Sequence, residues 1–387
     1  MSPLPNLPPE IWLEIFEWAA YNPNFPTDIH APFERIPDDY QDSNLEVRIN
    51  IASVCSTWRT WIVESLYKDI EIRHGAHALQ RLLEACQRSG RCYGEMVRRV
   101  VLPYRSTVTS HSQPLQSIEI LKLCPKVHTL LRPQHRSVGD EPRFDREAEC
   151  TDFPSVQRLE WWHYSEAERT GGINSLGHVL RNIPNLRYLF IGGVVGADRI
   201  CSEPGSISLT KLETLRLCIR SGSLFYSILS KWRMPMLRHI VMDSPPVKEG
   251  LEALWDALGH QLESVGFGKH LRFLTNDSLS PCLQGCPNLK EVNFYLLFTA
   301  PLPDNQVHIR LRQVGLHAHV NPFLANGAHV WDLIALHFDI LCGPNFPSLQ
   351  KVVLYGDWRP ILSHRLFQPI DEKLHDSGRI LQFARDA

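Results

Sequence analysis

The chain has 387 residues, of which 43% are hydrophobic, so it is long and apolar enough to fold around a large core. Forty basic and 42 acidic residues give a formal net charge of −2, without the basic excess typical of nucleic-acid-binding proteins. The first ten residues lack the pattern of a signal peptide, and the apolar stretch from Val330 to Leu341 is interrupted by two aspartates and a histidine. We therefore expect a cytoplasmic or nuclear protein that binds neither nucleic acid nor membrane.

The first predicted element is a helix in the sequence LPPEIWLEIF, which runs from Leu7 to Phe16. Prolines at the first helical positions and Glu10 in the first turn favour a helix start. Ile11, Ile15 and Phe16 then fall on one face, because residues four apart are neighbours on a helix. That apolar face predicts packing against another element or a partner.

The second predicted helix begins at Ser43-Asn-Leu-Glu46, which has capping-box spacing. Apolar residues from Ile51 to Ile62 then recur at helical spacing. Between the two helices lies an insertion over residues 20–44 that is rich in proline and acidic residues. We interpret it as a loop that leaves the helical packing intact, so deleting Phe25 to Asp42 should change folding little. The two helices predict an N-terminal domain over residues 1–68.

A repeat follows along most of the remaining chain. An aliphatic residue (position 0), a second three residues later (position 3) and an apolar residue at position 5 recur with a mean spacing of 28 residues. This spacing is close to the period of about 20–29 residues of leucine-rich repeats. A further copy is expected at Tyr67. Position 0 is held by Val97, Val127, Val156, Leu186, Leu212, Leu237, Leu262, Leu289, Leu311 and Leu349.

Position 2 of the repeat is polar in nine of ten copies, although it stands beside an aliphatic residue. This alternation predicts strands with one buried face and one solvent face. A proline two residues before position 0 in six copies indicates the end of a helix before each strand. Helices are expected at Ser175–Leu180, Leu224–Leu229, Gly250–Leu258 and near Trp331–Leu341. Residues 69–387 are therefore predicted to be an α/β solenoid, with a curved parallel sheet inside and helices outside.

Both N-terminal helices resemble the F-box family, whose signature is Leu-Pro-x-Glu-Ile-x-x-x-Ile-Phe followed by Val-Cys-x-x-Trp-Arg. The insertion between the halves is similar to those of fungal F-box-like proteins. The repeats resemble degenerate leucine-rich repeats, since the family's asparagine or cysteine ladder has no counterpart here. The matching signature residues are Leu7, Pro8, Glu10, Ile11, Ile15, Phe16, Val54, Cys55, Trp58 and Arg59.

The resemblance implies that these residues bind a Skp-type adaptor, which links the chain to a cullin and its ubiquitin-charging machinery. The chain would then be a non-catalytic substrate-recognition subunit of a Skp/cullin/F-box ubiquitin ligase. Two alternatives stay open. The same apolar residues could form the core of an ordinary helical cap on the repeats. The whole chain could also be a leucine-rich-repeat interaction scaffold with no role in ubiquitin ligation.

A protein substrate is expected on the concave face of the solenoid, where positions 2, 4 and 6 of each strand point. Aromatic residues and arginine are common among interface hot spots. The alternative is that Trp162 and Phe190 are covered by the charge-rich segment 132–152 or by each other. The candidate substrate-binding residues are Arg158, Glu160, Trp162, Tyr188, Phe190, Arg216, His239 and Asp243.

No catalytic motif is recognisable in the sequence. The segment from Gly266 to Lys269 lacks the remaining glycine and the hydroxyl residue of a phosphate-binding loop. Cys282 and Cys286, together with a histidine, could in principle hold zinc, but the ligand pairs typical of zinc sites are missing. We expect no active site, no metal and no cofactor.

Overall fold

The computed structural model describes residues 7–20, 31–36, 44–72, 77–88, 90, 92–104, 117–135, 144, 147, 149–193, 206–219, 222–245, 248–303, 306–324 and 329–384. These residues group into two compact units. The first is drawn from residues 1–27, 37–162 and 166–186, and the second from residues 28–36, 163–165 and 187–387. The predicted domain boundary at residue 68 therefore falls inside the first unit, and part of the N-terminal insertion belongs to the second.

Up to residue 186 the chain forms helices followed by alternating strands and helices. The prolines of the first helix stand at its N-terminus, where their missing N–H groups cost nothing. The elements are α1 (Pro9–Ala19), α2 (Leu45–Val54), α3 (Ser56–Lys68), β1 (Asp69–Glu71), α4 (His77–Arg88), β2 (Arg99–Val101), α5 (Ser117–Lys122), β3 (Thr129–Arg132), β4 (Arg158–His163), α6 (Ser165–Thr170) and α7 (Leu176–Arg181).

The strands of the first unit are parallel and follow chain order. β1 pairs with β2, β2 with β3, and β3 with β4. In register, Asp69 lies beside Arg99, Arg99 beside Thr129, and Thr129 beside Arg158. Equivalent repeat positions are thus neighbours across the strands.

From residue 187 the same alternation of strands and helices continues. The short strands β6 and β8 pair only with each other in a separate parallel ladder. The elements are β5 (Tyr188–Gly193), β6 (Ile207–Ser208), β7 (Thr214–Cys218), α8 (Gly222–Lys231), β8 (Trp232–Arg233), β9 (His239–Met242), α9 (Lys248–Leu258), β10 (Ser264–Phe267), α10 (Leu271–Thr275), α11 (Leu279–Gly285), β11 (Glu291–Tyr295), β12 (Gln313–His317), α12 (His329–Cys342), β13 (Lys351–Tyr355), α13 (Arg359–Leu362), α14 (Gln368–Asp376) and β14 (Ile380–Phe383).

Eight strands of the second unit form a parallel sheet in the order β5, β7, β9, β10, β11, β12, β13, β14. Their register aligns position 3 of every repeat into one aliphatic row that lies in the core. Burying each of these side chains contributes about 2 kcal/mol, so the repeated aliphatics hold neighbouring strands together. The row consists of Leu189, Leu215, Ile240, Val265, Val292, Val314 and Val352, each at most 3% exposed.

The α/β class predicted from the repeat is confirmed, and all ten predicted strands are present. Each begins at the residue two places after its first aliphatic, from Arg99 to Lys351. The further copy expected at Tyr67 is β1, which starts at Asp69. Helices α7, α8, α9 and α12 overlap the four predicted ones. None of the described helices is both long enough and apolar enough to span a membrane.

The stripe from Ile51 to Ile62, read from the sequence as one helix, is divided between two. Cys55 has an extended backbone, with φ −160° and ψ 168°, and it separates α2 from α3. Its Sγ accepts a hydrogen bond from the backbone N–H of Trp58 at 3.4 Å, which satisfies one of the unpaired donors at the start of α3. The cysteine of the signature is therefore a helix cap in this structure.

Candidate interaction surfaces

In the first unit, α1, α2 and α3 enclose a small apolar core. The ring of Phe16, only 2% exposed, lies 4.9 Å from that of Trp58 in an edge-to-face arrangement. Trp12 lies 4.8 Å from Trp58, and Ala52 and Ile62 complete the buried cluster. Phe16 and Trp58, two of the predicted adaptor-binding residues, are thus held in contacts within the unit.

Two more predicted adaptor residues stabilise the junction between α2 and α3. Cys55 caps α3, and the Nε of Arg59 donates to the carbonyl oxygen of Ala52 at 3.1 Å. At the start of α1, Pro8 is the N-cap residue and Leu7 is half-buried. The hydrogen bonds of Cys55 and Arg59 thus fix the junction between α2 and α3.

The other signature residues lie on the surface. Ile11 and Ile15, one turn apart on α1, are 41% and 42% exposed, and Val54 on α2 is 56% exposed. Glu10 is exposed in the first turn of α1. Trp18, outside the signature, is 78% exposed. The first unit therefore exposes large apolar side chains on both α1 and α2.

Three of the predicted substrate-binding residues lie on β4 of the first unit, and all three are buried. Arg158, Glu160 and Trp162 are 8%, 3% and 6% exposed, in contrast to the exposure expected from the sequence. The Nε of Arg158 donates to Oε1 of Glu160 at 2.6 Å. Charged groups removed from water require such a partner. The polar residues at positions 2 and 4 of this strand therefore form a buried ion pair.

The other five predicted residues lie on the second unit, where four of them are also buried. Tyr188, Phe190, Arg216 and Asp243 are at most 8% exposed. His239 is half-buried, and burial lowers its pKa. We call the side of the eight-stranded sheet that carries positions 4 and 6, including Arg216 and Asp243, the front face.

Arg216 and Asp243 form a bidentate ion pair on the front face. The Arg216 Nε donates to Asp243 Oδ2 at 2.7 Å, and Nη2 donates to Oδ1 at 2.9 Å. The guanidinium carbon also lies 5.9 Å from the ring centre of Phe190. Burial lowers the pKa of Arg216, but the charge and hydrogen bonds of Asp243, together with the nearby Tyr188 and Glu34, more than compensate and raise it well above the usual value. The two bonds hold the Arg216 guanidinium in one orientation within a buried site, where its other N–H groups can donate.

The remaining donors of Arg216 bind the N-terminal insertion. Residues Ala31–Ile36, which we call the insert segment, lie against the front face. The Nη2 of Arg216 donates to the carbonyl oxygen of Glu34 at 2.7 Å, and Nη1 donates to that of Arg35 at 3.2 Å. The insert segment is thus part of a loop, as the sequence predicts, and it is bound to the sheet of the second unit.

Three aromatic rings surround Phe33 of the insert segment. Its ring centre lies 5.0 Å from that of Tyr295, 5.1 Å from His317 and 4.8 Å from Tyr355. The contacts with Tyr295 and His317 are edge-to-face, a preferred geometry of aromatic pairs, and the contact with Tyr355 is tilted. We call Tyr295, His317 and Tyr355 the aromatic box. Its members occupy position 6 of the repeats that contain β11, β12 and β13, the position that Asp243 holds directly after β9, so the repeat itself carries a signal for them.

The rings of the aromatic box are uncharged near neutral pH. Burial raises the pKa of Tyr295 to about 12. Burial, with smaller contributions from His319 and Lys269, lowers the pKa of His317 to about 4. The ammonium group of Lys269 lies 5.6 Å from the ring centre of Tyr295, a cation–π contact. The box therefore suits an apolar aromatic ring.

The insert segment forms a tight turn around Phe33. The Glu34 N–H donates to the Ala31 carbonyl at 3.4 Å, with Pro32 and Phe33 at the two central positions. Phe33 has φ 61°, and it is the one non-glycine residue of the described chain with positive φ. A type II turn needs positive φ at this position, which an aromatic residue adopts at a cost of about 1–2 kcal/mol. Contacts of the ring and the carbonyl groups must offset that cost.

Three glycines lie at the centre of the front face. Position 4 is glycine at Gly266 and Gly315, and position 6 is glycine at Gly268. A Cβ at Gly268 would lie 2.6 Å from the Cα of Asp243, so no larger residue fits there without a backbone shift. Between the segment and the sheet remains a cavity of about 20 Å³, room for roughly one water molecule.

Asn293, which lines this cavity, is 2% exposed. Its Nδ2 donates to Oε1 of Glu291 at 2.7 Å, and its Oδ1 accepts no hydrogen bond from the described part of the chain. Because a carboxylate can only accept, the bond to Glu291 fixes the orientation of the amide. A buried acceptor is thus available at the front face.

Within the described ranges, no three histidine, cysteine, aspartate or glutamate side chains are grouped to hold a metal ion. Cys282 and Cys286 are buried, and burial raises the pKa of Cys282 well above its usual value. In comparisons with known proteins, no family model and no curated protein sequence matches this chain.

Proposed function

We propose that this chain is the substrate-recognition subunit of a Skp/cullin/F-box ubiquitin ligase. Helices α1–α3 act as an F-box that docks a Skp-type adaptor, and the adaptor connects the chain to a cullin. The strand-and-helix repeats act as a leucine-rich-repeat solenoid whose front face receives a protein substrate. The chain itself has no catalytic role.

One observation carries the proposal. The signature residues divide into an inner set, represented by Phe16 packed on Trp58, and an outer set, represented by Ile11 and Ile15 at about 40% exposure. An ordinary helical cap would bury its apolar residues against its own chain. A docking module instead needs inner residues that hold the helices together and outer apolar residues that a partner covers.

The mechanism of such a subunit is proximity. A substrate held on the front face has its lysines near a charged ubiquitin carrier, so that the transfer proceeds at a high effective concentration. Burial of Ile11 and Ile15 under an adaptor would contribute roughly 25 cal/mol for each Å² of apolar surface removed from water. Both steps require binding surfaces only.

The proposal is tested by co-purification from cells that express the tagged full chain. Replacing Ile11 and Ile15 together by glutamate should abolish recovery of the Skp-type adaptor and the cullin. The matched control is Ile309→Glu, which alters an apolar residue that is 68% exposed on the second unit and should leave recovery unchanged. Point substitutions are preferable to deleting residues 1–68, because that deletion also removes the insert segment from the second unit.

If the folded double variant still recovers the adaptor, or if the wild-type chain never does, the F-box assignment fails. The repeats would then be better described as an interaction scaffold without a ligase role. Circular dichroism melts of each variant establish that it is folded.

A further inference from the structure

We propose that the front face is a binding site for a peptide turn that presents an aromatic side chain, and that the insert segment occupies this site as an internal ligand. A partner protein with a turn of the same chemistry would displace Ala31–Ile36. The inference rests on the proposed function in one respect: it takes the displacing turn to belong to the substrate, and so it names the chemistry of that substrate. The binding site itself is argued from contacts within the second unit.

The contacts to the insert segment are of a kind that another peptide can supply. Arg216 binds the carbonyl oxygens of Glu34 and Arg35, and every peptide carries such groups. The aromatic box binds the ring of Phe33. The required features are therefore an aromatic residue followed by two accessible carbonyl groups.

The internal ligand leaves part of the site unused. Oδ1 of Asn293 is buried beside the cavity without a hydrogen-bond donor among the described residues. A peptide with an N–H group directed into the cavity would satisfy this acceptor, and a buried unpaired acceptor otherwise costs free energy. The site therefore offers a polar contact as well as the aromatic box to a peptide bound there.

The backbone of Phe33 also weakens the internal ligand. Its φ of 61° is unfavourable for a residue with a large side chain. The tether offsets this weakness, because linked segments reach effective concentrations on the order of millimolar. A partner peptide therefore binds detectably when it fits better than the insert segment or when the box has been emptied.

The test uses the purified full chain and a fluorescein-labelled peptide that copies residues 30–37. Its affinity is measured by fluorescence anisotropy, well below the melting temperature of each protein, for the wild type and for Phe33→Ala. A second variant, Phe33→Gly, also empties the box and in addition relieves the positive φ, so it serves if the alanine variant is poorly folded. Control peptides carry alanine in place of phenylalanine.

We expect Phe33→Ala and Phe33→Gly to bind the peptide about tenfold or more tightly than the wild type, because the internal competitor is weakened. Adding Tyr355→Ala to either variant, or using the alanine peptide, should remove that gain. Equal affinity of wild type and both variants, or equal binding of the alanine peptide, overturns the proposal. No adaptor is present, so the result is independent of whether α1–α3 dock one.

Discussion

The Nη2 of Arg216 donates to the carbonyl oxygen of Glu34 at 2.7 Å, across 182 residues of chain. The same guanidinium is held by Asp243 through two further bonds. A segment that precedes the repeats is thereby joined to the centre of their sheet. Arg216 binds both a buried carboxylate and the insert segment of its own chain. Its substitution should therefore change the stability of the protein whether or not a partner is present.

Replacing Arg216 by alanine should lower the free energy of unfolding by about 3–5 kcal/mol, because the buried Asp243 carboxylate loses its partner. Urea unfolding followed by circular dichroism measures the change. Arg216→Lys keeps the charge and loses the bidentate geometry. Its free energy of unfolding should therefore fall by less than that of the alanine variant, but by a measurable amount. A loss below about 1 kcal/mol for the alanine variant is the value expected of a solvent-exposed ion pair, and it would contradict the burial of Arg216 and Asp243.

Phe33→Ala should lower the free energy of unfolding by about 1–3 kcal/mol. The variant loses aromatic pairs that contribute about 0.5–1.5 kcal/mol each beyond their burial, and it relieves the strain of the positive φ only in part. Arg35→Ala is the matched control. Arg216 uses the carbonyl oxygen of Arg35, which the substitution keeps, so stability should be unchanged. Deletion of Phe25 to Asp42 should likewise destabilise the second unit, in place of the neutral effect expected from sequence alone.

The strands were predictable because their signal is local and repeated. An aliphatic at position 0 and a polar residue at position 2 place the start of each strand from Arg99 to Lys351. β14 was missed because Gly378, with φ 70°, occupies the position where an aliphatic would stand. The break at Cys55 was missed because the apolar spacing continues through it.

The location of the insert segment could not be predicted in the same way. Its bonds to Arg216 span more than 180 residues, and no periodicity in the insertion indicates which surface it contacts. Polarity was also misleading at Arg158 and Arg216, because a buried ion pair and a solvent-facing residue give the same pattern in sequence. By contrast, the aromatic box stands at position 6 of consecutive repeats, and extending the same rule to β11, β12 and β13 would have found it.

His337 should make the second unit less stable in mild acid. Burial lowers its pKa to about 4, whereas an unfolded histidine titrates near 6.5. Between these values the unfolded chain binds a proton that the folded chain does not, so stability falls as pH falls from about 6.5 to about 4. The loss from this side chain is on the order of 3 kcal/mol, and no more is lost below the lower value.

The measurement is urea unfolding across that pH range for the wild type and His337→Gln. Glutamine retains an N–H donor for the Thr299 carbonyl, which His337 reaches at 2.9 Å, and it does not titrate. The variant should therefore have a shallower pH dependence than the wild type. His375→Gln, at an exposed position on α14, should leave the dependence unchanged. An identical slope for wild type and His337→Gln would mean that His337 is protonated within the fold.

The central claim is that the outer residues of α1 dock a Skp-type adaptor, and calorimetric titration of the purified full chain with a purified adaptor tests it most directly. We predict a one-to-one complex for the wild type and for Ile309→Glu. Ile15→Glu should bind at least a hundredfold more weakly, about 2.7 kcal/mol, because a charge would then be buried in an apolar interface. Phe16→Ala should lower the melting temperature of the first unit, since Phe16 is packed within it. A folded wild-type chain that gives no heat of binding, or a folded Ile15→Glu variant with undiminished affinity, would contradict the account.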